Sequence, residues 1–235
     1  MTSTDHKTST ISIIIPTRNE AATIADTVAR AQHPTVREIL VVDCGSTDGT
    51  REIASEQGAR VITTSRGRAR QMNLGATLAQ GEILLFLHGD TRLPREFATQ
   101  IPAILRPPGV IAGAFRLAID LPGRGVRLVE RAANMRSTLL RMPYGDQALF
   151  LYRQQFIAVG GYPEEPILED LLLVKRLNGL GRIAISPSSV ITSGRRWQRL
   201  GVVRTTLINQ AILVGHLAGV PPRYLLDWYR FGQQV

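Results

Sequence analysis

At 235 residues the chain is long enough for one substantial globular domain and short for two. Its 44% hydrophobic and 20% charged residues exclude disordered, collagen-like and low-complexity architectures, and a single cysteine, Cys44, excludes a disulfide framework or a CxxC zinc site and favours a reducing compartment. The 28 basic residues, all arginine except Lys7 and Lys175, outweigh 19 acids to give +9, and residues 188–235 carry six arginines against Asp227, so +5 of the excess lies near the C-terminus; this suits an anionic partner or, equally, a solvated basic face.

Residues 1–10 are polar, lack the apolar stretch of a secretion signal and are expected to form a flexible tail. From residue 11 short aliphatic, β-branched runs (11–15, 39–42, 60–63, 83–87) alternate with amphipathic stretches (20–32, 49–57, 68–80), which predicts a βαβαβαβ order and a parallel sheet. In the last of these stretches Ala69, Met72, Ala76 and Ala79 make one apolar helical face. Beyond Asp90 the pattern predicts helices over 95–105, 124–140, 169–178, 199–217 and 221–230, and extended segments over 110–119 and 149–152. The apolar stretch 207–220 is interrupted by Asn209, Gln210 and His216 and falls short of the ~20 residues that cross a bilayer. No repeat or linker marks a boundary, so residues 11–198 are expected to form one domain with 199–235 as its helical extension.

Open sheets of this kind bind ligands at the carboxyl ends of their strands, so the residues just after each strand carry the information. The first strand ends in Pro16-Thr17-Arg18-Asn19-Glu20, without the glycines of a dinucleotide turn or P-loop. The second ends in Asp43-Cys44-Gly45-Ser46-Thr47-Asp48-Gly49, where a carboxylate can accept from a base imide or ribose hydroxyl. The fourth ends in His88-Gly89-Asp90-Thr91, which delivers a second acid to the same sheet edge. Two acids on one edge suggest a nucleotide and a metal.

At these residues the chain resembles the GT-A family 2 glycosyltransferases, with their P-x-x-N-E turn, V-D-x-(G/D)-S-x-D-G-T segment and D-x-D-type motif, here in an H-x-D-T variant. Gly160-Gly161-Tyr162 and Glu169-Asp170-Leu171, with Arg176 six residues after Asp170, resemble two further features of that family, and the likeness covers residues 11–199. The segments 86–94, 145–150 and 193–201 resemble a small bacterial subgroup. The resemblance implies a mainly parallel sheet flanked by helices and an inverting, metal-dependent transfer from a nucleoside-diphosphate sugar. It implies that Asp43 binds the base, that Pro16, Thr17, Arg18, Glu20, Gly45 and Ser46 line the nucleoside pocket, and that Arg68 reaches base or phosphate. Asp90, with His88 and Gly89 beside it, would hold Mn2+ or Mg2+ against the diphosphate. Asp170, with Glu169, would be the general base toward the acceptor hydroxyl. His88 departs from the family pattern, since an imidazole stands where an Asp is usual, though it too can ligate Mn2+. Ser193-Gly194-Arg195-Arg196-Trp197 resembles the Q-x-x-R-W motif of processive members but carries Ser193 for Gln, which argues against polymer synthesis.

Each residue also has a structural explanation. Asp43 and Asp90 are the kind of residue that caps a following helix, and Glu169 and Asp170 suit a helix dipole. Asp146 and Gln147 are acceptor or donor-sugar contacts, or a turn whose Asp bonds its own backbone. Arg195, Arg196 and Trp197 reach the leaving group, or form a surface pair beside a core Trp. Cys44, His6, His33 and His216 are assigned nothing. The terminal Arg223, Tyr224, Trp228, Tyr229, Arg230 and Phe231 suit a lipid interface or ordinary packing. The overall expectation is a cytoplasmic transferase with a nucleotide-sugar donor, no nucleic-acid partner and an acceptor the sequence does not identify, a lipid-linked acceptor and a peripheral position at the inner membrane face being the options the basic C-terminal helices offer. The competing readings are a sugar-phosphate nucleotidyltransferase, whose glycine-rich entry Pro16–Glu20 does not match, and a nucleotide- or nucleic-acid-binding module.

Overall fold

A computed structural model describes residues 9–234, side chains being described to residue 231. Strands β1 (Ile11–Thr17), β2 (Val36–Asp43), β3 (Arg60–Thr63) and β4 (Ile83–Phe86) run parallel in the order β3-β2-β1-β4, with Ile13 opposite both Ile39 and Leu85. They alternate with helices α1 (Ile24–Ala31), α2 (Thr50–Glu56) and α3 (Arg68–Leu78). Most of the expected tail lies outside the described residues, but Thr10 is bonded in: its carbonyl accepts the Ile83 N–H at 3.0 Å.

The strand centres are aliphatic on successive positions because helices cover both faces. Ile13, Ile15, Val41 and Leu85 pack on α1, α2 and α4 (Phe97–Leu105), whereas Ile14, Leu40, Val42 and Phe86 pack on α3, α6 (Arg153–Ala158) and α7 (Glu169–Asn178). This period-2 division makes three layers around the sheet.

Beyond β4 the sheet is mixed. Strand β7 (Phe150–Tyr152) runs antiparallel to β4 and to β6 (Val110–Asp120), β8 (Arg182–Ser193) runs parallel to β6, and the two-residue β5 (Thr91–Arg92) runs antiparallel to β8. Neither β8 nor α6 was expected. In β8, Pro187 and three serines break the apolar alternation, and the pairing with β6 slips between Ala114 and Arg116 to absorb them.

Helix α5 (Arg124–Leu140) covers a third cluster formed by Leu117, Ile119, Val126 and Ala133, with Trp197 and Val202 against it. The helix expected over 199–217 is two: α8 (Arg195–Leu200) and α9 (Val202–Leu217), separated at Gly201, whose φ of 78° ends the first. Helix α10 (Pro222–Gln234) follows. Among the described residues no helix is long and apolar enough to cross a membrane.

Candidate active site

The turns after β1 and β2 are locked together. Asn19 N–H donates to Ser46 Oγ at 2.8 Å, Thr47 N–H to Asn19 Oδ1 at 3.0 Å, Glu20 N–H to Thr50 Oγ1 at 2.8 Å and Ala21 N–H to Asp48 Oδ2 at 3.0 Å. Asp43 belongs to this scaffold. It is 0% exposed; its Oδ1 accepts the N–H groups of Gly45 and Ser46 at 3.0 and 2.9 Å, and its Oδ2 accepts the hydroxyls of Ser46 and Thr17. A carboxylate has about four acceptor positions, and the fold fills all of them. In this structure Asp43 shapes the turn, and its expected contact with a base is a proposal. Thr17 and Ser46 are buried with it, Pro16 is half-buried, and Arg18 and Gly45 are the exposed members of this edge.

The fourth strand delivers Asp90 differently. Gly89 is anchored through its carbonyl, which accepts the hydroxyls of Thr23 and Thr27 at 3.0 and 3.1 Å, and Ser193 N–H donates to the Asp90 carbonyl at 3.1 Å. The end of β8 is thus stitched to Asp90, and α8 begins beside it. One amino group of Arg195 bridges Glu20 Oε2 at 2.5 Å and Asp90 Oδ2 at 3.1 Å. Burial raises the Glu20 pKa, Arg195 counters it, and Asp90 adds to it.

Arg68, at the start of α3, joins the two halves of the site. It lies 3.3 Å from Glu169 and 3.5 Å from Asp170, and it donates to Nε2 of His88. Burial opposes its charge, but Asp170 and Glu169 together outweigh that and raise its pKa. Burial and then the Arg68 charge drive the His88 pKa well below its usual value, so the ring is neutral and its nitrogen accepts from a cation.

Glu169 and Asp170 occupy the first turn of α7, entered through Leu168 with φ 67°. Asp170 packs against the backbone of Gly145, where a Cβ would collide with its Oδ2. Asp170 Oδ1 and Asp146 Oδ1 are both buried without a hydrogen-bond partner. Burial raises the Asp146 pKa, Arg136 lowers it and Asp170 raises it further; burial and then Asp170 raise that of Glu169.

These groups face one cleft of about 410 Å³. Its walls bring together Arg68, His88, Asp90, Asp146, Glu169 and Asp170 from the strand and helix ends, and Arg196 and Trp197 from α8. Arg195 instead lines an adjoining cavity of about 200 Å³ on the other side of Asp90. Gln147 is 0% exposed, with its amide donating to the Phe115 carbonyl and its oxygen accepting from Ser137 and from Tyr144 N–H, so it ties the Gly145–Gln147 turn to β6 and stands behind the residues that line the cleft. Sequence reading missed Tyr144, over which Arg136 stacks at 3.4 Å, and the wall made by α9 and α10: Asn209, Ile212, Leu213 and Tyr229. Asn209 accepts from Arg196 at 3.1 Å, and Arg196 stacks on Tyr229 at 4.7 Å. No motif spacing announces them, because these contacts join segments packed only in the folded chain.

Among the described residues no three His, Cys, Asp or Glu side chains cluster as a self-sufficient metal site. The carboxylate of Asp90, 23% exposed on the cleft, fits a hard divalent ion whose other ligands are phosphate oxygens and water. His88 stands beside it with its Nε2 toward the Arg68 guanidinium.

A model of glycosyl transferase family 2 matches residues 12–162. Over 94 residues the chain is 37% identical to glycosyltransferase AglJ of Haloferax volcanii, covering 39% of this chain and 31% of that protein. Over 135 residues it is 30% identical to glucosyl-3-phosphoglycerate synthase of Mycobacterium tuberculosis, covering 52% and 37%. The match spans about a third of the length of these curated relatives. Among solved structures, the mannosyltransferase PcManGT from Pyrobaculum calidifontis, in complex with GDP-Man and Mn2+, aligns over 95% of this chain and 70% of its own, with TM-score 0.65 and 21% identity. Glucosyl-3-phosphoglycerate synthase from M. tuberculosis, with Mg2+ and UDP, aligns over 85% and 78%, with TM-score 0.61 and 23% identity. At such identities the likeness establishes the fold, which is GT-A.

Proposed function

The chain belongs to glycosyl transferase family 2, and from that premise we propose that it transfers a sugar from a nucleoside-diphosphate donor to an acceptor hydroxyl with inversion at the anomeric carbon. The observation that carries this reading is the pairing across one cleft of Asp90, at the end of β4, with Asp170, whose Oδ1 is buried and free of any partner. The donor's diphosphate lies toward Asp90, between Arg195 and the cleft wall, and the acceptor enters between Asp146, Trp197 and Tyr229. Asp170 takes the proton of the acceptor hydroxyl as its oxygen bonds to the anomeric carbon. The bond from that carbon to the phosphate oxygen breaks, and its electron pair leaves with the diphosphate. Asp90 would hold Mn2+ or Mg2+, which would supply neutralising charge to that leaving group. Arg195 and Arg68 place fixed positive charge beside it, where negative charge grows in the transition state. Glu169 holds Arg68 in place through the 3.3 Å ion pair. We also propose a lipid-linked acceptor and a peripheral position at the cytoplasmic face of a membrane, from the basic C-terminal helices.

Asp170→Asn tests the base directly. Transfer should fall by about 10²-fold or more, while calorimetry should show nucleotide-sugar binding nearly intact. Transfer at the unaltered rate would remove Asp170 from the mechanism.

A further inference from the structure

The outward faces of three neighbouring helices are apolar where water should make them polar. On α9, Val203, Leu207, Val214 and Leu217 are 62–77% exposed. At about 100° per residue these four fall within a strip about 80° wide that runs the length of the helix and is interrupted only by exposed Gln210. The opposite side of α9 is also committed: Thr205, Ile212 and Gly215 are buried, and Ile212 lines the catalytic cleft. A helix that is apolar on both sides needs cover on both. On α5, Leu128, Met135 and Leu139 are 61–71% exposed and form a second narrow strip, with Arg124 and Arg131 on the same side, facing away from buried Val126, Glu130, Ala133 and Ser137. On α10, Tyr224, Trp228 and Phe231 repeat at four- and three-residue steps, 47–70% exposed, with Asp227 and then Arg223 and Arg230 beside them.

The three strips belong to one surface. Val202 of α9 lies in the path of a Cβ at Gly125 of α5, and Trp228 and Leu225 of α10 pack on Gly215 of α9. Measured around α9 from Val203, Val202 points about 100° to one side and Gly215 about 120° to the other. The α9 strip is therefore flanked by α5 on one side and α10 on the other.

The charge identifies what covers it. Residues 124–141 carry five arginines against Glu130, which is paired with Arg127, and residues 188–235 carry six against Asp227, of which Arg195 and Arg196 face the catalytic site, leaving Arg124, Arg131, Arg223 and Arg230 beside the apolar strips. These two stretches hold the entire formal excess of +9, so the rest of the chain is neutral in sum. A second copy of so basic a surface would be repelled, whereas an anionic bilayer attracts the arginines and receives the apolar and aromatic side chains between them.

We infer that α5, α9 and α10 form a platform that docks on an anionic lipid surface, with α9 separating that surface from the cleft. Docking does not depend on the transferase reading. Its consequence does: an acceptor carried in the membrane would present its hydroxyl beside the helix whose inner face lines the site.

Flotation of the full chain with vesicles of equal parts phosphatidylglycerol and phosphatidylcholine, at low and high salt, tests the platform. Flotation is expected at low salt, weaker at high salt, and absent with phosphatidylcholine alone. Leu207→Glu with Val214→Glu, and separately Arg124→Ser with Arg131→Ser, should each reduce the bound fraction about tenfold. Both pairs should keep the wild-type melting curve and thermal-shift response to UDP and GDP. Failure of the wild type to float, equal flotation with neutral vesicles, or unchanged flotation of both variants would overturn the inference. So would sedimentation showing a dimer that Leu207→Glu with Val214→Glu dissociates, which would assign the strip to a second copy. A chain that floats as expected but shows no nucleotide response would instead count against the transferase reading.

Discussion

Asp146 and Asp170 each keep one buried carboxylate oxygen without a partner, an arrangement that costs stability unless a ligand completes it. Asp146 has the clearer consequence, because burial raises its pKa in the folded chain. An acid that holds its proton more tightly when folded loses stability as pH rises from its unfolded value through the raised folded one, and carries the full penalty above that. Asp146→Asn removes the charge, so the variant should melt higher than the wild type at neutral pH, with the gap closing as pH falls toward 4; melting curves across that range check it, and a gap that widens on acidification would refute it. Gly145 is the second lever. An alanine there would push its Cβ into Asp170 Oδ2, displacing the carboxylate we propose as the base. Gly145→Ala should lower kcat about 10²-fold while leaving nucleotide affinity and melting temperature close to wild type.

Among the elements, β8 and the helices after it decide where the second half of the site goes. The pairing of Thr91 with Thr192 and the bond from Ser193 N–H to the Asp90 carbonyl fix the start of α8 against the D-x-D-like segment. Gly201 then turns the chain from α8 into α9 with φ 78° and ψ 157°, a conformation nearly confined to glycine. Gly201→Ala should cost about 1–3 kcal/mol, read as a lower midpoint in urea, and should weaken the wall that Asn209 and Tyr229 give the cleft. The aliphatic strands β1 to β4 were legible because burial on both faces leaves a continuous run. Strand β8 was not, because Pro187 and its serines are accommodated by a slip in register that only the partner strand reveals.

For the whole molecule, ligand binding and folding are linked. The cleft is assembled from the ends of β4 and β8 and from α3, α7, α8, α9 and α10, so a bound nucleotide holds many elements at once. A nucleoside diphosphate at one hundred times its Kd stabilises the folded state by about 2.7 kcal/mol, which for a chain of this size raises Tm by roughly 5–10 °C. Thermal shift with UDP and with GDP should show such a rise with one of them in the presence of Mn2+, and Asp90→Ala should remove the Mn2+-dependent part. A rise unaffected by that substitution would move the metal away from Asp90.

The periodicity of aliphatic runs and the placement of acids after strands were enough, by themselves, to specify the layered sheet, the edge on which the cleft lies, and Asp90 as a carboxylate at that edge, whereas Asp170 was pointed to by the family resemblance of its segment. Those are local properties: burial on two faces, and the position of a residue just past a strand. The tertiary structure alone decided how each side chain is employed. It saturated Asp43 within its own turn, turned Gln147 inward, set Arg195 between Glu20 and Asp90 across 175 and 105 residues of chain, and closed the cleft with α9 and α10. A carboxylate's role depends on which hydrogen-bond donors reach it first, and those donors come from segments that meet only when the chain is folded.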